Sequence, residues 1–169
     1  LSAASLNMVV VSMTRSDESA AVSMPGSDES VAAQSWQSQF GTSLFDEDGP
    51  AVAVDGSGNV YVVATVSAEG PIKIIVNKFD SLGIQVAYTE FGTNGLARAT
   101  SIAVDVLGNV YVAGDTYGSF DGYENLGLSD GFGVKFDSSL DLQGTVKQFG
   151  TTGNEYAYSI AVDASGNVY

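Results

Sequence analysis

From residue 35 onward, short apolar runs alternate with clusters of Asp, Gly, Asn and Ser, the pattern of strands punctuated by turns rather than of helices. In the best-defined stretch the pattern predicts strands over residues 100–105, 109–116, 131–137 and 142–149. The first two, through Ser101-Ile102-Ala103-Val104 and Val110-Tyr111-Val112-Ala113, are almost continuously apolar, as strands covered on both faces should be. Val86-Ala87-Tyr88-Thr89-Glu90-Phe91 alternates instead, predicting a wetter outer strand. Residues 1–34 read differently: Ser, Ala, Val and acidic residues dominate, Ser16-Asp17-Glu18-Ser19 recurs as Ser27-Asp28-Glu29-Ser30, and no aromatic residue is present. So little bulky apolar surface predicts a leader or linker, with a single strand over residues 6–13 as the alternative.

The strand pattern repeats. Phe40-Gly41-Thr42 returns as Phe91-Gly92-Thr93 and as Phe149-Gly150-Thr151, at spacings of 51 and 58 residues. Each is followed by Ala-Val-Asp, at Ala53-Val54-Asp55, Ala103-Val104-Asp105 and Ala161-Val162-Asp163, and then by Gly-Asn-Val-Tyr ending at Tyr61, Tyr111 and Tyr169. Lys78-Phe79-Asp80-Ser81 likewise recurs as Lys135-Phe136-Asp137-Ser138. The turns carry a mechanism. In Asp55-Gly56-Ser57-Gly58-Asn59 the Asp can accept backbone N–H groups two residues on, while Gly58 supplies a positive φ. Asp105, Gly108 and Asn109, and Asp163, Gly166 and Asn167, keep these anchors and vary the residues between them.

Four strands per unit of this length is the dimension of a propeller blade. Residues 36–41, then Ala51-Val52-Ala53-Val54-Asp55-Gly56-Ser57-Gly58-Asn59-Val60-Tyr61-Val62, resemble the bacterial β-propeller repeat of the seven-bladed type. The second unit is more similar still, through Tyr111-Val112-Ala113-Gly114-Asp115-Thr116, Gly118-Ser119-Phe120-Asp121-Gly122 and Asp130-Gly131-Phe132-Gly133-Val134-Lys135-Phe136-Asp137. The resemblance implies an all-β fold of four-stranded antiparallel blades and a secreted or cell-surface location. It covers residues 35–169, divided into an outer strand at 35–41, a blade at 50–91, a blade at 100–149 and the start of a third at 158–169. The outer-strand character of residues 36–41 leads to the expectation of an incomplete propeller, about two blades plus parts of two others. Its missing strands would come from remaining blades in cis or from other copies in trans, and an open array of this kind should associate. Two departures alter loops: Tyr61 to Lys78 spans 17 positions where Tyr111 to Lys135 spans 24, and Leu140 stands where the first unit has Gly83.

Charge and composition narrow the chemistry. Twenty acidic against six basic residues give a net charge of −14, so nucleic acid and anionic membrane surfaces are not expected partners. No apolar run reaches the length of a membrane-spanning helix, so membrane insertion is not expected either. Histidine and cysteine are both absent, which removes Ser-His-Asp and Cys-His catalysis and thiolate or imidazole metal ligation within this chain. Carboxylates remain. Asp46-Glu47-Asp48, Asp55 with Asn59, Asp121 with Glu124, and Asp137 with Asp141 could each suggest calcium, but the spacing of a calcium-binding loop is absent. Asp55, Asp105 and Asp163 are explained by turn capping, and Asp46, Glu47 and Asp48 remain the metal candidates.

Tyr117, Phe120 and Tyr123, on the long loop of the second unit, are the candidates for stacking on a carbohydrate ligand. Phe40, Phe79, Phe91, Phe136 and Phe149 recur at matched positions and read as packing between blades. The expected function is therefore an extracellular or cell-surface binding or scaffolding module for a protein or carbohydrate ligand, with no catalytic residues and no cofactor. The alternatives are a propeller enzyme resembling calcium-dependent lactonases and a structural filament or surface-layer component.

Overall fold

The computed structural model describes residues 10–12, 20–23, 37–40, 46–67, 72–144 and 146–169, the backbone alone before residue 51 and at Ser67. Its strands are β1 Val10–Ser12, β2 Ala20–Ser23, β3 Gln37–Phe40, β4 Asp46–Val54, β5 Val60–Ser67, β6 Lys73–Phe79, β7 Gln85–Gly92, β8 Ala97–Val104, β9 Val110–Thr116, β10 Asp130–Phe136 and β11 Lys147–Phe149. Among the described residues there is no helix. Strands β4 to β7 and β8 to β11 form two four-stranded antiparallel sheets in which each strand lies beside its sequence neighbour. The fold is all-β, and these two sheets have the form of propeller blades.

Strands β1, β2 and β3 make a separate three-stranded antiparallel sheet. β3 falls within the segment expected to be an outer strand, and it pairs with β2, Ala20 opposite Phe40. β1 and β2 come from the Ser-rich stretch at 1–34. After the second blade, the chain opens a further hairpin in which Val162 bridges Val168 and the Ala161 and Tyr169 backbones exchange hydrogen bonds of 3.0 and 2.9 Å.

The outermost strand of the second blade is shorter than its apolar pattern predicts. Leu142 bridges Phe136, but Gly144 adopts φ 78°, outside the β region, and regular pairing resumes only at Lys147. The innermost strands share a different irregularity. Register shifts between Asp48 and Ala51 in β4 and between Ala99 and Ser101 in β8, placing a bulge at matched positions. Pro50, which has no N–H to offer a ladder, sits in the first bulge. Thr100 sits in the second, and its hydroxyl donates to the Ala157 carbonyl of the following unit at 2.6 Å.

The main core lies between the two blades. Tyr61 and Val63 of β5 and Ile74 and Val76 of β6 cluster with Ala97, Val110, Val112, Phe132 and Phe136 of the second sheet. Because β5 and β9 are buried on both faces, their sequences need no polar alternation: every β9 residue is buried, as are Val60, Tyr61, Val62, Val63 and Ala64 in β5. Phe91 of the first blade contacts the second through Phe136 at 5.5 Å, Phe132 at 6.1 Å and Phe120 at 6.3 Å between ring centroids. Phe149 of β11 occupies the position matched to Phe91. Polar contacts also tie the blades. The Ala99 N–H at the bulge donates to the buried Thr65 hydroxyl at 3.0 Å, satisfying a donor that the irregular strand leaves unpaired.

Candidate functional site

The three Asp-x-x-Gly-Asn turns share one geometry. Asp55 Oδ1 accepts the Ser57 and Asn59 N–H groups at 2.9 Å, while Oδ2 accepts the Asn59 amide at 2.7 Å and the Tyr61 hydroxyl at 3.2 Å. Asp105 repeats this with Leu107, Asn109 and Tyr111, and Asp163 with Ser165, Asn167 and Tyr169. Gly58, Gly108 and Gly166 adopt φ of 81°, 81° and 82°, which only glycine takes without strain. Burial pushes the Asp55 and Asp105 carboxyls up, but the hydrogen bonds from Asn, backbone and Tyr outweigh it and hold both below the usual aspartate value. Asp163 is held low chiefly by the Asn167 amide. Burial, reinforced by the Asp55 charge, pushes the Tyr61 hydroxyl up. These carboxylates are saturated with donors and poorly suited to exchange protons or bind a metal.

The other acidic candidates are dispersed. Asp137 caps its own turn, accepting from Ser139 at 2.8 Å, Asp141 at 3.1 Å and the Gln143 amide at 3.0 Å. Asp121 and Glu124 are exposed on the long loop. Asp46, Glu47 and Asp48 open β4, and their side chains lie outside the described residues. Among the described residues no group of three or more carboxylates converges as a metal cage.

The loop aromatics separate. Phe120 is buried, 5% exposed, with its ring 5.1 Å from that of Phe132, so it closes the core instead of offering a face to a ligand. Tyr123 is half-buried against the same core. Tyr117 alone projects, at 48% exposure, and its N–H is anchored to the Leu96 carbonyl at 2.7 Å. Beside it stand two tyrosines from the next unit. The Tyr156 and Tyr158 rings lie 6.3 Å apart at 42°. The neighbouring Tyr117 hydroxyl, with a smaller contribution from the charge of Asp115 at the buried end of β9, pushes the Tyr156 hydroxyl up. Arg98, across the ladder from Asp115, donates to its carboxylate at 3.1 Å. The available signal for Arg98 and Tyr156 was positional. Counted from the Ala-Val-Asp marker they occupy the same place in successive units, where the first unit has Asp48, so this position varies inside an otherwise repeating frame.

The long loop also changes its own blade. In the first blade Lys73 and Glu90 form an exposed ion pair beside a shallow depression of about 190 Å³ lined by Ile72, Lys73, Glu90, Phe91, Gly92 and Thr93. In the second blade the matched residues are Asp130 and Gln148, joined at 2.9 Å and buried. There Gln148 reads the loop backbone, donating to Gly118 at 3.2 Å and accepting from Phe120 at 3.0 Å. The second Asp130 oxygen is buried without a partner against Gly150.

Residues 85–121 match the family described as a beta-propeller repeat. The matched span runs from β7 through β8 and β9, so the repeating sequence unit begins with one blade's outer strand and continues into the inner strands of the next. A search of curated proteins returns no match to the chain.

Proposed function

We propose that this array of β-propeller repeats is a non-catalytic binding and scaffolding module that works outside the cell or on its surface. The observation that carries the reading is the division of labour among its polar side chains. Those that repeat from unit to unit, Asp55, Asn59, Tyr61 and their counterparts, are consumed by turns, whereas Arg98, at a position that differs from unit to unit, keeps a half-exposed side chain. A scaffold with fixed internal bonds and changeable rim residues suits recognition. The lack of histidine and cysteine, and the donor-saturated turn carboxylates, leave acid–base or nucleophilic chemistry without an obvious agent.

Assay of the purified protein against lactone and glycoside substrates, with and without chelator, should give no turnover above the blank; chelator-sensitive hydrolysis would overturn the non-catalytic reading. Fractionation of the native cells should recover the protein from the medium or the surface fraction. Retention in the cytoplasm would overturn the assigned location.

A further inference from the structure

We propose that the hairpin tips at the Asp-turn end of the two blades, led by Val106 and Leu107, form a docking face for a partner-protein segment in which an aliphatic or aromatic residue is flanked by lysine or arginine. This rests on the binding-module reading and names the partner's chemistry. In each antiparallel blade the turns after the first and third strands fall at the same end of the sheet. Val106 and Leu107 occupy the middle of the turn between β8 and β9, 75% and 78% exposed. The matched turns on either side, at residues 55–59 and 163–167, leave the pair uncovered.

Folding does not call for these two side chains. Asp105, Gly108 and Asn109 hold the turn, and the same geometry forms around Gly56-Ser57 and Ala164-Ser165. Two adjacent bulky aliphatics on a turn tip, where small or polar residues suffice, leave apolar area in water with no return from the core. Leu82 repeats the arrangement in the first blade: its turn, capped by Asp80, carries leucine at 55% exposure where the second blade has Ser139. The turns adjoin one another. A Cβ added at Gly108 would lie 3.2 Å from the Ser138 Cβ and 3.9 Å from the Tyr61 hydroxyl, and one added at Gly58 would lie 3.5 Å from the Ser81 Cβ, so the tips belong to one surface that crosses from blade to blade.

Charge selects the occupant. Asp55, Asp80 and Asp137 open turns at this end, and Asp141 is exposed there. Lys78 and Lys135, at the same end of their strands, lie over the Tyr61 and Tyr111 rings, and Lys78 is held further by the Ser138 carbonyl. The apolar tips therefore stand in a negative field that acts at a distance. It attracts a cationic segment and repels anionic lipid or a second copy of a chain with net charge −14.

Fluorescence polarisation with short labelled peptides tests the proposal, using Leu-centred and Phe-centred peptides flanked by Lys and Arg, the same centres flanked by Glu, and Lys/Arg peptides with a Gly-Ser centre. The basic peptides with an apolar centre are expected to bind, about tenfold or more weakly in the double variant Val106→Ala/Leu107→Ser. That variant carries the residues of the turn at Ala164-Ser165, so it keeps the charge and the turn anchors. Leu128→Ser, at a side chain 69% exposed on the loop at the opposite end, should leave binding unchanged. Circular dichroism would establish that each variant is folded. Binding undiminished by the double variant, or equal binding of peptides with the Gly-Ser centre, overturns the docking face while leaving the binding-module reading intact. Equal binding of the Glu-flanked peptides overturns the charge assignment. Binding to phosphatidylcholine vesicles in place of peptides, or no binding at all, overturns the partner chemistry, and capture of a protein from the native extracellular fraction by wild type and double variant alike then judges the broader reading separately.

Discussion

Lys78 Nζ donates a hydrogen bond of 2.7 Å to the carbonyl of Ser138, joining the third strand of one blade to a turn of the next across 60 residues of sequence. The same ammonium lies 5.2 Å from the centre of the Tyr61 ring, and Lys135 repeats that stacking over Tyr111 at 5.1 Å. Lys78→Met keeps much of the aliphatic stem and removes the charge, so it isolates the interblade bond and the cation–π contact. It should lower unfolding stability by about 1–2 kcal/mol in urea denaturation. Stability equal to wild type would show that water replaces both contacts without loss.

Asp105 ties turn to strand through four donors, and its folded-state pKa is depressed. The sign follows: the bonds to the carboxylate contribute fully above the unfolded-state value of about 3.9 and are lost as pH falls through the lower folded value. Acidification also relieves the repulsion of a highly acidic chain, so the informative quantity is the difference between wild type and Asp105→Asn. That difference should shrink as pH drops from about 5 towards 2, measured by thermal unfolding. A pH-independent difference would place the contribution of Asp105 in packing. Asp105→Ala, which strands the Asn109 amide and Tyr111 hydroxyl, should cost about 1–3 kcal/mol at neutral pH.

Leu140 adopts φ 67° at the turn position where the first blade has Gly83 at φ 81°. The backbone cost of a left-handed leucine, about 1–2 kcal/mol, opposes the burial of a side chain that is 3% exposed within the interblade core. Burial should win, because removing a buried leucine side chain costs about 2–5 kcal/mol. Leu140→Gly is therefore expected to destabilise by about 2 kcal/mol in chemical denaturation. An increase in stability would mean that strain dominates.

Gly114 faces the Arg98 carbonyl and the Phe132 ring so closely that an added Cβ would lie 2.0 Å from the one and 2.7 Å from the other. Gly114→Ala should cost about 1–3 kcal/mol or more, since the obstacle includes backbone. At Gly133, in the adjacent strand, an added Cβ meets nothing within 4 Å. Gly133→Ala should be neutral or stabilise by up to about 1 kcal/mol. Equal melting temperatures for the two variants would contradict the close approach of Phe132 to β9.

The repeating frame was legible because its determinants are local. Asp, Gly and Asn within one turn satisfy each other over four residues, so the hairpins at Asp55, Asp105 and Asp163 can be read without knowing what packs on them. Continuous apolar runs likewise announced the doubly covered strands β5 and β9. Where the pattern was followed too far, local backbone intervened: the apolar residues leading to Phe149 suggested one long outer strand, and the positive φ of Gly144 interrupts it. The aromatic candidates were sorted by contacts that no local pattern contains. Phe120 and Tyr117 stand three positions apart on one loop, yet Phe120 turns inward onto Phe91 and Phe132 while Tyr117 projects into solvent.

By itself, then, the sequence determined the inner strands of the two blades, their capped turns and the antiparallel order of each blade, because neighbouring segments joined by short turns have few other ways to pair. Only the tertiary structure decided which carboxylates are spent on turns, which loop aromatic closes the core, and that the Arg98 guanidinium reaches the buried Asp115 carboxylate. Those outcomes depend on how one blade stacks on the next, where burial of apolar area sets the arrangement and the polar rim follows from it.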